Sequence, residues 1–276
     1  MTDYAAGASP AKRGSRGLAR HTIVFPGGGS ALAVVAPTDV SGADAVAALQ
    51  LEPPRALIVL VGSTNKLPPN VTTVLRSNIG EGLARVAADE RLTVVTGGTD
   101  AGIFAIFGRA LAGQATAPCV GVAPVGAVTW PGRSEREPVV SPRNGVVQLE
   151  PHHTHFLLVE GAEWGTETEA LIALAATLAA ECPSVAILAG GGKGARQEVL
   201  EQIRRGRQVL VLAGTGRLAD ELARATTNWD ADAIEPRTAE AAASGLVTAL
   251  DSAEAPASLA EHVRQRLGLL EPKAKP

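Results

Sequence analysis

The sequence predicts an α/β fold: a Rossmann-like, doubly wound and mainly parallel sheet with helices on both faces and an N-terminal hairpin. Three observations carry this. Short apolar runs such as Ala56–Val61 (ALIVLV) recur along the chain, each closed by a glycine turn and followed by a helical stretch. These runs are apolar throughout rather than alternating, as strands buried on both faces must be. Only 3% of the residues are aromatic, so Ala, Val and Leu must build the core, as they do in parallel sheets covered by helices.

The elements follow in order. His21–Phe25 and Ala31–Ala36 flank PGGGS and read as a hairpin. Ala43–Leu51 reads as a helix stopped by Pro53 and Pro54. Ala56–Val61 then leads through Gly62, Ser63 and Thr64 into a helix over Val71–Asp89, and Leu92–Val95 leads through GGTDAG into a helix over Ile103–Ala112. Cys119–Val122 is a further strand. Phe156–Val159 turns at Gly161 and Gly165 into a helix over Thr168–Ala180. Val185–Leu188 passes through GGGKG to a helix over Gln197–Arg204, and Val209–Leu212 through GTGR to a helix over Leu218–Ala225. Right-handed crossovers place all these turns on one edge of the sheet.

Two stretches break the rhythm. Ala123–Asn144 is long and rich in Pro and Gly, so it is expected to be a lid or a mobile excursion. From Asn228 the chain turns Ala-, Glu- and Ser-rich and is expected to hold peripheral helices, the last over Leu259–Leu269, and a frayed tail. The organisation is therefore a disordered basic arm over 1–20, one Rossmann-like domain over 21–227 and a peripheral segment over 228–276. The arm carries Lys12, Arg13, Arg16 and Arg20 but no apolar core, so it is not expected to be a signal peptide. No apolar run reaches the roughly 18 residues of a spanning helix, so no membrane partner is expected. A net charge of −3 offers nothing to a nucleic acid. Cys119 and Cys182 lack metal spacing and read as free thiols of a reducing, cytoplasmic protein.

The glycine edge is the candidate site. It gathers Gly62-Ser63-Thr64, Gly97-Gly98-Thr99 with Gly102, Gly165-Thr166, Gly190-Gly191 and Gly214-Thr215-Gly216-Arg217. Glycine lets a backbone approach a phosphate, Ser and Thr can cap a helix while donating to an oxygen, and helix N-termini favour anions. Arg217 would add a cation in fork geometry. GGGKG is not a P-loop, because Gly194 follows Lys193 where Ser or Thr is required. Lys193 therefore reads as a solvated lysine.

Several of these motifs resemble the SLOG superfamily, which includes the cytosolic N-terminal domains of melastatin-type TRP channels and the "lonely guy" phosphoribohydrolases. Val95–Gly102 is similar to the Val-Thr-Gly-Gly-x-x-x-Gly turn of the channel domains, and Gly121–Gly126 to their Gly-Val-Ala-Pro-x-Gly segment. His152–Phe156, Glu160 and Trp164–Glu167 resemble their Asn-His-Thr-His-Phe strand, acidic turn and aromatic-Gly-x-Glu step, and Gly214–Arg217 a late Gly-x-Gly-Arg helix start. The resemblance spans about Ile58 to Arg224 and implies a nucleotide-binding fold, with ADP-ribose a known ligand type. The leading expectation is a sensor or processing domain for ADP-ribose, an NAD-derived compound or a nucleoside phosphate.

A nucleotide N-glycosidase is the alternative. The hydrolase signature PGGxGTxxE is half present, as Gly165-Thr166-Glu167-Thr168-Glu169, with Ala162-Glu163-Trp164 in place of Pro-Gly-Gly. If the protein is an enzyme, the catalytic candidates are Glu167 and Glu169. Either could instead stabilise the helix start, Glu169 through a capping box with Thr166. Residues two apart on a helix diverge by about 200°, so the two should not face one pocket. No cofactor and no metal are expected. His153 and His155 share a strand face, but at about 3.3 Å per residue they lie ~20 Å upstream of Gly161 and read as structural. A domain acting only through self-association is the third possibility, and a homo-oligomer is left open.

Overall fold

The computed structural model describes residues 18–27, 29–62, 67–114, 118–133, 145–227, 234–254 and 256–270. The chain opens with strands β1 (Arg20–Val24) and β2 (Ser30–Ala36), an antiparallel hairpin with Arg20 opposite Val34. Helix α1 (Gly42–Ala48) follows, its first turn held by Ser41, whose hydroxyl oxygen accepts the Asp44 N–H. Then come β3 (Leu57–Gly62), α2 (Pro69–Leu75), a π-helical segment over Arg76–Ala84, α3 (Arg85–Asp89), β4 (Thr93–Thr96), α4 (Gly102–Leu111) and β5 (Cys119–Pro124). Two short strands, β6 (Val128–Thr129) and β7 (Val147–Gln148), pair apart from the main sheet. The rest is β8 (His155–Val159), α5 (Thr168–Leu178), β9 (Ser184–Ala189), α6 (Lys193–Arg204), β10 (Gln208–Ala213), α7 (Arg217–Thr227), α8 (Pro236–Ala243), β11 (Val247–Asp251) and α9 (Pro256–Arg266).

The main sheet has the order β1-β2-β8-β5-β4-β3-β9-β10-β11, and only β1 runs against the others. From β3 the chain winds outward through β4, β5 and β8. It then crosses back to lay β9 on the other side of β3 and continues through β10 to β11. The strand order thus reverses between β3 and β9, and the crevice beyond their carboxyl ends is where open α/β sheets take ligands. Successive strand residues point to opposite faces. Leu57, Val59 and Val61 pack with α1, α5, α6 and α7, while Ile58 and Leu60 pack with the π-helical segment, α4 and α9. The Rossmann-like fold with its N-terminal hairpin is as the sequence predicts.

Four expectations are corrected. The segment from Asn228 is not merely peripheral: β11 extends the main sheet in parallel with β10, Val209 facing Val247, and Leu259, Ala260 and Val263 of α9 belong to the core. The first part of the 123–144 stretch is packed rather than mobile. Ala123, Val128 and Trp130 are buried against the hairpin, Trp130 stacking on His21, while 134–144 lie outside the described residues. Helix α6 begins at Lys193 rather than Gln197, because the glycines before it are turn and first-turn residues. The helix predicted over Val71–Asp89 widens to π geometry over Arg76–Ala84, where Gly82 lets it lie against the Pro256 carbonyl. Of the basic arm, residues 1–17 lie outside the described residues.

Candidate functional site

A cleft of about 1280 Å³ opens at the carboxyl edge of the sheet, over the switch point between β3 and β9. Gly62 ends β3 directly beside Ala189, the last residue of β9, and a Cβ at Gly62 would overlap the Ala189 carbonyl oxygen. Gly62, Gly97, Gly165 and Arg217 line the cleft, so four of the five glycine turns contribute to one cavity. The fifth, Gly190-Gly191, is represented by its neighbour Gly192. Ser63 and Thr64 lie outside the described residues.

The remaining candidates serve the frame around it. Gly98, at φ +67°, presses on β5, and a Cβ there would sit 2.7 Å from the Gly121 Cα. Thr99 is buried and bridges to Leu149, and Gly102 starts α4. Gly190 and Gly191 offer their carbonyls to the Ala219 and Leu218 N–H groups. Thr215 is turned inward: its hydroxyl oxygen accepts the Gly190 N–H at 2.8 Å and donates to the Leu212 carbonyl at 2.6 Å. Gly214 donates its N–H to Asp220, and Gly216 takes a positive φ just before α7. Thr166 hydrogen-bonds the Glu163 carbonyl. The expected capping box of Thr166 with Glu169 does not form, because the N-cap of α5 is Glu167 and not Thr166.

Helix α6 brings its N-terminus to the cleft, where Gly192, Lys193 and Gly194 line the wall. Gly192 at its N-cap makes no side-chain cap, and its first turn holds no acid, so the helix end keeps its positive potential toward the cleft. The Arg217 guanidinium lies over Gly192, where a Cβ would be 2.9 Å from a terminal nitrogen. Arg217 itself has φ +55°, a left-handed conformation uncommon for a non-glycine residue. It makes no ion pair among the described residues. Lys193 is exposed on the same rim.

The sequence matches the family described as "SLOG in TRPM, prokaryote" over residues 55–261. The chain belongs to that family. This SLOG domain is also 25% identical over 207 residues to transient receptor potential cation channel subfamily M member 2 of Mus musculus, covering 64% of the chain and 14% of the channel. It is 27% identical over 202 residues to subfamily M member 7 of Homo sapiens, covering 63% of the chain and 11% of that channel. Among the described residues of this SLOG domain, no helix is long and apolar enough to cross a membrane.

Carboxyl groups also line the SLOG cleft. Glu167 and Glu169 both border it, contrary to expectation, Glu167 standing at the N-cap rather than within α5: Glu167 is buried inside and Glu169 is exposed at the rim. One Glu167 oxygen accepts the Gly165 N–H at 2.8 Å. Burial raises the Glu167 carboxyl above its usual range, against the pull of that backbone bond. Glu198, on the second turn of α6, is a site residue the sequence reading missed. Burial, and then the charge of Glu167, push its pKa up to about 8. Counted back from Gly165-Thr166, the Pro-Gly-Gly places of the hydrolase signature fall on Gly161, Ala162 and Glu163, and Trp164, at the unspecified place between, lines the wall.

The histidines of the SLOG domain stand closer to the glycine edge than counting along one strand suggested. The strands are staggered: Thr96, at the end of β4, is level with Gly121 and hence with Phe156, three residues beyond His153. The His153 ring therefore reaches Thr96, with Nε2 2.7 Å from its hydroxyl oxygen, which also accepts the Gly98 N–H at 2.8 Å. On its other side Nδ1 is 2.8 Å from the Glu150 carboxylate, which also takes the backbone N–H and ring nitrogen of His152. The Glu150 carboxylate is packed against Gly108 of α4, where any Cβ would overlap it. The structural role expected for His153 stands, but it braces the glycine turn at Gly97. No group of metal-ligating side chains occurs among the described residues.

Proposed function

We propose that this SLOG domain binds a nucleotide by its phosphate, from the range of AMP, NAD and ADP-ribose, and acts as a ligand-sensing domain. One observation carries the reading: the cleft over the switch point joins glycine backbone, the uncapped N-terminus of α6 and the Arg217 guanidinium. The strained backbone of Arg217 supports a functional task for that side chain. The test is calorimetric titration of two variants. Arg217→Ala should weaken AMP binding by about 1.5–3 kcal/mol, the worth of a hydrogen bond to a charged group. Lys193→Ala, on the solvated rim, should change it little. The reverse ranking would place the phosphate elsewhere.

A second reading, hydrolysis of the base–ribose bond, is favoured by Glu167 and Glu198, two acids that line the same cleft and whose environments raise both pKa values. The bulk of Trp164 in the wall argues for binding without turnover. Incubating the protein with AMP, NAD and ADP-ribose should release neither free base nor ribose phosphate. Release that falls by ~10²–10⁴-fold in Glu167→Gln but persists in Glu169→Gln would make the domain an enzyme.

A further inference from the structure

The cleft face of α6 reads Gly194, Glu198, Glu201 and Arg205, spaced four, three and four residues apart and so on one side of the helix. Each has a different status. Gly194, in the first turn, presents open space where a side chain would be. Glu201 is engaged by Arg204 and Gln197. Glu198 makes no hydrogen bond and no ion pair among the described residues, although it is half-buried. A partly buried carboxyl without a partner costs stability, and such a group is retained where a ligand supplies the partner.

The spacing suits a sugar phosphate as that partner. From Gly194 to Glu198 the helix rises four residues, ~6 Å at 1.5 Å per residue. A ribose 5-phosphate spans that gap, with its phosphate at the helix N-terminus and its 2′- and 3′-hydroxyls one turn further along. Glu167 approaches the same point from α5, near enough for its charge to act on Glu198. We propose that Glu198 and Glu167 together hold the cis-diol of the ligand's ribose, so that the cleft selects ribonucleotides over deoxyribonucleotides. The claim rests on the nucleotide reading above and adds the sugar to it.

At neutral pH the raised pKa leaves Glu198 largely protonated, a donor beside the Glu167 acceptor. A diol, which both donates and accepts, matches this pair. As pH rises through about 8, Glu198 ionises and repels both Glu167 and the phosphate, so affinity falls. The other charged groups that line the cleft with Glu198 and Glu167 are Glu169 on α5, Lys193 and Glu201 on α6, Arg205 just after it, Arg217 on α7, Arg237 on α8 and Asp39 before α1.

The experiment titrates wild type, Glu198→Gln and Glu198→Ala with ribose 5-phosphate, 2-deoxyribose 5-phosphate, AMP and 2′-deoxy-AMP, each at pH 6.5 and 9. Wild type should prefer each ribo form roughly tenfold or more at pH 6.5 and lose part of that affinity at pH 9. Glu198→Gln, which keeps a donor and an acceptor without charge, should retain the preference and lose the pH dependence. Glu198→Ala should bind ribo and deoxy forms alike. Equal binding of ribo and deoxy forms by wild type would overturn the diol contact while leaving the nucleotide reading intact. No binding of any of the four by wild type would overturn both.

Discussion

Replacing His153 by leucine should cost the fold about 3–5 kcal/mol, the price of breaking a buried charge pair by removing one partner. His153 is almost fully buried between the Glu150 carboxylate and the Thr96 hydroxyl, and Glu150 would keep only His152. The loss should depend on pH. Burial works against a charged His153, but the hydrogen-bonded Glu150 carboxylate favours the charged form and its pKa is raised. Its contribution is therefore complete below the ordinary value of 6.5 and is lost as pH rises through the raised one. Burial also opposes the charge of Glu150, yet the bonds from His153 and His152 hold its pKa low. Its contribution is complete above the ordinary 4.5 and is lost as pH falls through the depressed value. Denaturant unfolding should thus show a larger gap between wild type and His153→Leu at pH 5.5 than at pH 9.5. A gap that widens toward alkaline pH would contradict the assignment.

Gly62→Ala should damage both stability and ligand binding. Its Cβ would overlap the Ala189 carbonyl oxygen and come within 2.6 Å of Ile103 Cδ1, so β3 and β9 must part at the switch point. Overpacking of this kind costs about 1–3 kcal/mol, and here a backbone atom is in the way, which places the effect at the upper end. Since Gly62 also lines the cleft, nucleotide affinity should fall with stability. A variant with wild-type unfolding would show that the β3–β9 contact is looser than the register implies.

How much of this was legible depends on whether the signal is local. β3, β9 and β10 are continuous apolar runs closed by glycine, and the sequence alone places them. β11 (VTALD) escaped because it is an edge strand with one buried residue, Leu250, and a polar residue near each end. The glycine turns were legible as a set, but their division into lining and frame was not. Thr215 differs from a phosphate-binding threonine only in pointing inward to Gly190 and Leu212. Glu198 was hidden because its importance comes from Glu167 on another helix, and no spacing within α6 announces it. The reach of His153 to Thr96 follows from the stagger of β4 against β8, a property of the sheet and not of either strand.

The central claim is that a nucleotide phosphate sits at the first turn of α6. It is tested most directly by melting curves of wild type and Gly194→Leu with millimolar AMP, NAD and ADP-ribose. Gly194 faces open space, so the leucine should leave the apo fold intact while filling the place of the phosphate. At least one nucleotide, at 100 times its dissociation constant, should stabilise wild type by about 2.7 kcal/mol and leave the variant unmoved. Wild-type curves that no nucleotide shifts, or a shift that survives in Gly194→Leu, would contradict it.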